Sequence, residues 1–198
     1  MSLVRTSETL ESLVDKVCVR TVLQRCTQAE VVIEGQSRGC MGNGLLLLTG
    51  FGKKSPELPA ESVEAFLSLS TEARRARLEP LFTRWWDKLS QLRIFSDEQG
   101  KMNLSFLQQP KETGLYIVSQ FTLFADLRKG NRPGFSLALE PAVARACFED
   151  LLSFVEKRMD DRNLFSGVFA ADMKVSLTND GPVTVMFDCS LERGVEAL

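Results

Sequence analysis

With 198 residues, 44% hydrophobic and 25% charged, the chain suits one globular domain with room for an insertion, and is too short for two full domains. A formal charge of −2 gives no global field that would draw in nucleic acid, so any RNA contact must come from a local patch. The chain contains no histidine, which removes Ser-His-Asp and Cys-His catalysis and argues against a catalytic zinc site.

The five cysteines (Cys18, Cys26, Cys40, Cys147 and Cys189) are scattered, odd in number and form no C-x-x-C pair. They read as small buried hydrophobes in a reducing compartment. No stretch reaches the length of a membrane span, and residues 1–16 lack the apolar region of a secretory signal. A cytoplasmic location is the expectation.

Taken in chain order, residues 17–25 alternate in strand fashion, with Val17, Val19, Thr21 and Leu23 on one face. Residues 29–34 read as a second strand and Glu34-Gly35 as the turn of a hairpin. Gly39, Gly42 and Gly44 punctuate a turn before a buried strand at 45–50. Pro56, Pro59 and a run of Ser and Glu mark a surface excursion up to about Thr71. Leu78, Phe82, Trp85, Leu89 and Leu92 then fall at helical spacing, with Pro80 placed near the helix start. Trp85 is expected in the core and Trp86 partly covered. A short strand at 92–95 with a turn at 97–100, a strand at 115–124 and a polar loop at 126–134 follow. From Pro141, the residues Ala144, Phe148, Leu151, Leu152, Val155 and Met159 trace one face of a helix. Strands at 164–169, 173–178 and 183–188 close the chain. Strands thus outnumber helices and most are joined by tight turns, which predicts an α+β domain with largely antiparallel sheets.

Three polar segments interrupt this apolar framework. Ser119-Gln120-Phe121-Thr122 ends a strand that otherwise reads Leu-Tyr-Ile-Val; its hydroxyls and amide suit a substrate pocket, and a strand with one polar face would account for it as well. Asn179-Asp180-Gly181-Pro182-Val183-Thr184 carries turn chemistry and an X-Pro bond of the kind that becomes cis in tight turns, though a plain hairpin turn explains it equally. Arg128, Lys129 and Arg132 put three cations into one Gly/Pro-bearing loop suited to phosphates, or simply to solvent.

Together these segments resemble the D-aminoacyl-tRNA deacylase family. Ser119-Gln120-Phe121-Thr122 fits its S-Q-x-T motif, and Asn179-x-Gly181-Pro182-x-Thr184 fits its N-x-G-P-x-T motif. Gln24-Arg25, Gly42-Asn43-Gly44-Leu45-Leu46, the run from Arg93 to Ser105, Arg128-Lys129-Gly130, Arg132-Pro133 and Phe135-Ser136 are similar to family segments too. The resemblance covers residues 17–188. It implies an N-terminal extension (1–16), a single deacylase domain (17–190) with an insertion at about 53–77, and a C-terminal tail (191–198).

The fold so implied is α+β, a largely antiparallel β-barrel or sheet core with packed helices, assembled as a homodimer with its site at the interface. The implied reaction is hydrolysis of the ester between a D-amino acid, or mischarged glycine, and the 3′-terminal ribose of tRNA, without cofactor or metal. Such an ester is already activated, so positioning and oxyanion stabilisation suffice, and histidine is dispensable. The resemblance gives Ser119, Gln120, Phe121 and Thr122 the catalytic segment, with oxyanion contacts from the backbone N–H groups around Phe121 and Thr122. A nucleophilic Thr122 hydroxyl is the rival reading. Gly181 and Pro182 are assigned to exclude L side chains from the partner's pocket, with Arg25, Asn179 and Thr184 in support. Phe169 and Met173 would enclose the terminal adenine, and Arg128, Lys129 and Arg132 would meet phosphates. The alternative is a non-catalytic nucleic-acid-binding dimer on the same fold.

Overall fold

The alternation that begins at Val17 runs on through Ile33 as one strand, β1 (Val17–Ile33). Two expected strands are therefore a single long one in the computed structural model, which describes residues 13–53, 60–128, 130–192 and 194–197. Its hairpin turn lies at Glu34-Gly35, where both residues have positive φ (52° and 77°) and Ile33 pairs with Gln36. That geometry suits the right-handed twist of the flanking strands. The partner, β2 (Gln36–Met41), occupies a segment expected to be turn. β3 (Gly44–Lys53) then returns antiparallel to the first half of β1.

The excursion after Lys53 is more than surface loop. It contains helix α1 (Ala60–Leu67), whose Phe66 is fully buried. Helix α2 (Thr71–Gln91) starts earlier than expected, capped by the Ser70 hydroxyl, which accepts from the Ala73 N–H at 3.2 Å. Pro80 consequently sits inside this helix and not near its start. It is tolerated because Ala76 and Pro80 are exposed, leaving the freed Ala76 carbonyl to water. Leu78, Phe82, Trp85 and Leu89 form its buried stripe, and Trp86 (6% exposed) is buried as well, edge-on to Phe106.

β4 (Phe95–Ser96) and β5 (Met102–Leu104) pair across the 97–100 turn, where Asp97 Oδ1 accepts from the N–H groups of Gln99 and Lys101. β6 (Gly114–Ser119) runs parallel to β3 and stops five residues sooner than expected, because Phe121–Phe124 closes into a 3-10 turn. Helix α3 (Pro141–Glu156) begins with proline in its first turn, where the missing N–H costs nothing. β7 (Leu164–Ser166) lies parallel to β6. β8 (Met173–Ser190) and β9 (Gly194–Ala197) complete the order β7-β6-β3-β1-β8-β9, with β2 also on β1.

The fold is α+β as read from the sequence, but the seven strands form an open sheet and not a closed barrel. The edge strands β2 and β7 meet through side chains: the Phe165 ring lies where a Cβ on Gly39 would stand, and stacks 5.4 Å from Tyr116. Each sheet face builds its own core. One packs Val19, Leu23, Leu45, Leu47 and Ile117 under α2 and α3, with Trp85 donating its indole N–H to the buried Thr21 hydroxyl at 2.9 Å. The other gathers Cys26, Val31, Met41, Leu46 and Tyr116. No helix among the described residues is long and apolar enough to cross a membrane.

Candidate functional site

β6 is buried as far as Val118 and becomes half-exposed at Ser119 and Gln120, where the polar motif begins. The Gln120 N–H donates to the Thr49 carbonyl (2.9 Å), which pins the end of the strand to β3. The chain then tightens: Leu123 N–H donates to Gln120 O at 3.4 Å and Ala125 N–H to Thr122 O at 3.1 Å. A 3-10 turn leaves its first N–H groups without an internal acceptor. Here those belong to Phe121 and Thr122. The Thr122 hydroxyl is exposed and accepts from the Gln120 side-chain amide.

Beside this turn lies a cavity of about 690 Å³. Val118, Ser119, Gln120 and Phe121 form one wall, and Phe169 with Met173 forms another. Two groups of predicted site residues, fifty positions apart in sequence, thus share one cavity. Phe135, which packs edge-on to Phe121 with ring centroids 5.0 Å apart, lines it too, as does Lys53. Neither had been singled out for the pocket: Phe135 had only been grouped with a family segment, and a single Lys at a strand end gives no sequence signal. Phe121 (55% exposed) and Phe135 (38% exposed) leave an apolar rim open to solvent.

The second motif lies elsewhere on the sheet. β8 does not reverse at 179–184, as a hairpin turn would; it continues along β1 with a bulge. Gln24 pairs with Thr184 and Cys26 with Asn179, so residues 180–183 stand opposite Arg25 alone. The Asn179 side chain spans the bulge, accepting from Val183 N–H and donating to Thr184 Oγ1, both at 2.9 Å, and Gln24 adds a 3.3 Å donor to the same oxygen. These contacts explain why Asn and Thr recur five residues apart around Gly-Pro. The Gly181–Pro182 peptide is cis. Gly181 has φ +117°, and a Cβ there would meet Val183 and the Arg25 guanidinium.

Arg25 is 9% exposed and holds the bulge from beneath. Its Nη1 donates to the Ile94 carbonyl, and its Nε lies 2.8 Å from Asp180 Oδ2, an ion-pair distance without hydrogen-bond alignment. Neither Gly181 nor Pro182 lines the cavity of its own chain, and Thr122, Arg25, Asn179 and Thr184 do not line it either.

The cationic loop stands apart from the cavity. Its base is tied by reciprocal Asp126–Gly134 backbone hydrogen bonds (2.7 and 3.0 Å). Arg128 is exposed, but its guanidinium forms a bidentate pair with Asp126 at 2.8 and 2.7 Å, which raises its pKa. Arg132 is exposed. Lys129 lies outside the described residues.

Residues 22–188 match the family model described as D-Tyr-tRNA(Tyr) deacylase. The chain belongs to the D-Tyr-tRNA deacylase family. A D-aminoacyl-tRNA deacylase of Myxococcus xanthus is 41% identical over 170 residues, covering 86% of this chain and 94% of the relative. Among solved structures, the c-Myc DNA Unwinding Element Binding Protein superposes with a TM-score of 0.66 at 28% identity, covering 84% of this chain and 96% of that one. A probable eukaryotic D-amino acid tRNA deacylase has the same fold, with a TM-score of 0.64 at 19% identity over 86% of this chain and 99% of that one.

Proposed function

We propose that this deacylase hydrolyses the ester of D-aminoacyl-tRNA in the cytoplasm, using backbone N–H groups of the 121–124 turn to stabilise the oxyanion. Membership of the family makes the chain an ester hydrolase acting on D-aminoacyl-tRNA. The observation that carries the mechanism is the turn itself, whose first N–H groups lack an acceptor within the turn and whose first residue, Phe121, stands at the wall of the cavity. The terminal adenosine occupies the cavity against Phe169 and Met173. The neighbouring ribose 2′-hydroxyl places the attacking water.

The active unit in this reading is a homodimer. Val22, Leu48 and Met186 are register neighbours across three central strands, on the face away from the helices. Met186 is 40% exposed and the other two are half-buried, so a second copy would cover an apolar row. Gly181 and Pro182 of one subunit then enter the partner's cavity and exclude an L side chain, while hydrogen fits. The cations of the 128–132 loop meet phosphates of the acceptor end.

The deciding test is hydrolysis of matched D- and L-aminoacyl-tRNA, with glycyl-tRNA included, at substoichiometric enzyme. Loss of the D and glycyl esters with survival of the L ester is expected; equal survival of all three sinks the proposal. Thr122→Ala should retain a near-normal single-turnover rate, since the hydroxyl has no base to activate it. A rate loss beyond about 1000-fold would instead make Thr122 the nucleophile. Arg25→Ala removes the Asp180 ion pair that ties the bulge to β1, and D-over-L discrimination should fall about 10-fold or more. Discrimination equal to wild type would free the bulge of that role. Replacing Arg128 and Arg132 together by alanine should lower the slope of log affinity for tRNA against log salt by about one to two. An unchanged slope would remove this loop from the tRNA interface.

One observation favours a second reading. The c-Myc DNA Unwinding Element Binding Protein shares this fold, so a nucleic-acid-binding role without catalysis is the natural rival. A gel shift with uncharged tRNA and duplex DNA beside the hydrolysis assay separates them: binding without turnover selects the rival.

A further inference from the structure

The turn that carries the Phe121 and Thr122 N–H groups needs an anchor at its far end. A short helical turn leaves its last carbonyls unsatisfied. The Thr122 carbonyl accepts from Ala125 within the turn, whereas the Leu123 carbonyl accepts from Arg20 Nη1 at 3.0 Å. The same guanidinium is fixed on its other edges: Nε and Nη2 each donate to an Asp188 carboxylate oxygen at 2.7 Å. Arg20 and Asp188 are register partners on β1 and β8, so the sheet itself sets the position of this pair. The guanidinium also stands 4.8 Å from the centroid of the Phe124 ring, the last residue of the turn. Arg20 is about a quarter exposed and Asp188 less, so the pair is only partly solvated.

We propose that Arg20 is a positioning residue for hydrolysis: clamped by Asp188, it grips the Leu123 carbonyl and the Phe124 ring and thereby holds the 121–124 turn in register with the cavity. The inference rests on the oxyanion reading given above and deepens it. The start of the turn is held by the Gln120–Thr49 hydrogen bond and its end by Arg20, so the N–H pair between them has little freedom to move. The role requires arginine. A planar guanidinium offers a bidentate edge to a carboxylate and a further N–H in a different direction, while an ammonium is a point charge on a flexible stem. Arg20 and Asp188 do not line the main cavity, so the residue acts through the turn and not on substrate.

The test compares Arg20→Gln and Arg20→Lys with wild type, each with and without Asp188→Asn. Three quantities are read: single-turnover hydrolysis of D-aminoacyl-tRNA, affinity for uncharged tRNA, and hydrogen exchange at the Leu123 and Ala125 amides. Both Arg20 variants should lose about 10- to 100-fold in rate, while tRNA affinity stays within about twofold. Exchange at the two amides should quicken, and Asp188→Asn should add little once Arg20 is gone. Lysine keeps the charge beside Asp188 and the stem against Phe124, so it carries the test if the glutamine variant does not fold. A wild-type rate in the lysine variant overturns the proposal, as does a rate loss with unchanged exchange or one matched by lost affinity. Wild-type protein inert on D-aminoacyl-tRNA would defeat the functional reading instead, and the exchange comparison would still decide whether Arg20 holds the turn.

Discussion

Gly50→Ala is expected to reduce single-turnover hydrolysis of D-aminoacyl-tRNA at least about 100-fold, although Gly50 has no side chain to offer and belongs to neither motif. A Cβ at this position would stand 2.5 Å from the Gln120 carbonyl oxygen, and 3.2 Å from the Phe124 ring. The carbonyl is backbone, already engaged by the Leu123 N–H, and it cannot rotate aside as a side chain would. Relief therefore requires the whole 120–124 segment to lift from β3, which shifts Phe121 at the cavity wall and the Thr122 N–H beside it. A misplacement of about 1 Å is enough for a loss of this size. The overpacking should also cost about 1–3 kcal/mol of stability. Rate, tRNA affinity and thermal unfolding should be measured together. A folded alanine variant with wild-type turnover would mean that close approach to β3 does not place the turn. Gly52 is a useful companion, because a Cβ there would run into the Phe124 ring; a ring yields more readily than a carbonyl, so the smaller effect is expected at Gly52.

The second large effect concerns stability. Asp150→Ala should lower the unfolding free energy by about 3 kcal/mol, since removing one partner of a buried ion pair leaves its cations uncompensated. The Asp150 side chain on α3 is 1% exposed, with Arg74 Nε at 2.6 Å from one carboxylate oxygen and Arg75 Nε at 2.8 Å from the other. Arg75 also donates to Ser153 at 2.8 Å. Arg74 is 13% exposed on its side chain and bears most of the cost, whereas Arg75 at 42% is rescued by water. For a chain of this size the change corresponds to a midpoint lower by roughly 10 °C. Asp150→Asn, which keeps the shape and one acceptor, should lose less. Equal midpoints for wild type and Asp150→Ala would show that α2 docks on α3 through apolar contacts alone. Arg74 and Arg75 fall in the segment expected to be an insertion, and through Asp150 they tie the start of α2 to α3.

Much of the fold was legible because its signals are local. Alternation located β1, apolar runs located β3 and β6, helical spacing located α2 and α3, and the Glu34-Gly35 turn carried its own chemistry. Where the reading failed, the deciding contacts were remote. β2 is rich in polar residues and glycine and looks like a turn; it is a strand because β1 offers it hydrogen bonds and Phe165 fills the space above Gly39. Asn179-Asp180-Gly181-Pro182 has the composition of a reversal, yet the chain does not reverse, because β1 continues on both sides and forces a bulge opposite Arg25. The sheet stays open because β2 and β7 approach through side chains without pairing.

The site divides in the same way. Composition alone removed imidazole chemistry, and two short motifs pointed to a deacylase by their resemblance to that family; in the structure the residues of each motif contact one another, Gln120 bonding Thr122 and Asn179 bonding Thr184. A short contiguous motif can be matched from a string of letters. The convergence of Ser119 and Phe121 with Phe169 and Met173 in one cavity could not be read that way, and neither could the grip of Arg20 on Leu123, which spans 103 positions. Such contacts are set by which strands lie side by side. That order is chosen by burial of the two sheet faces over the whole chain, not by the residues next to the site.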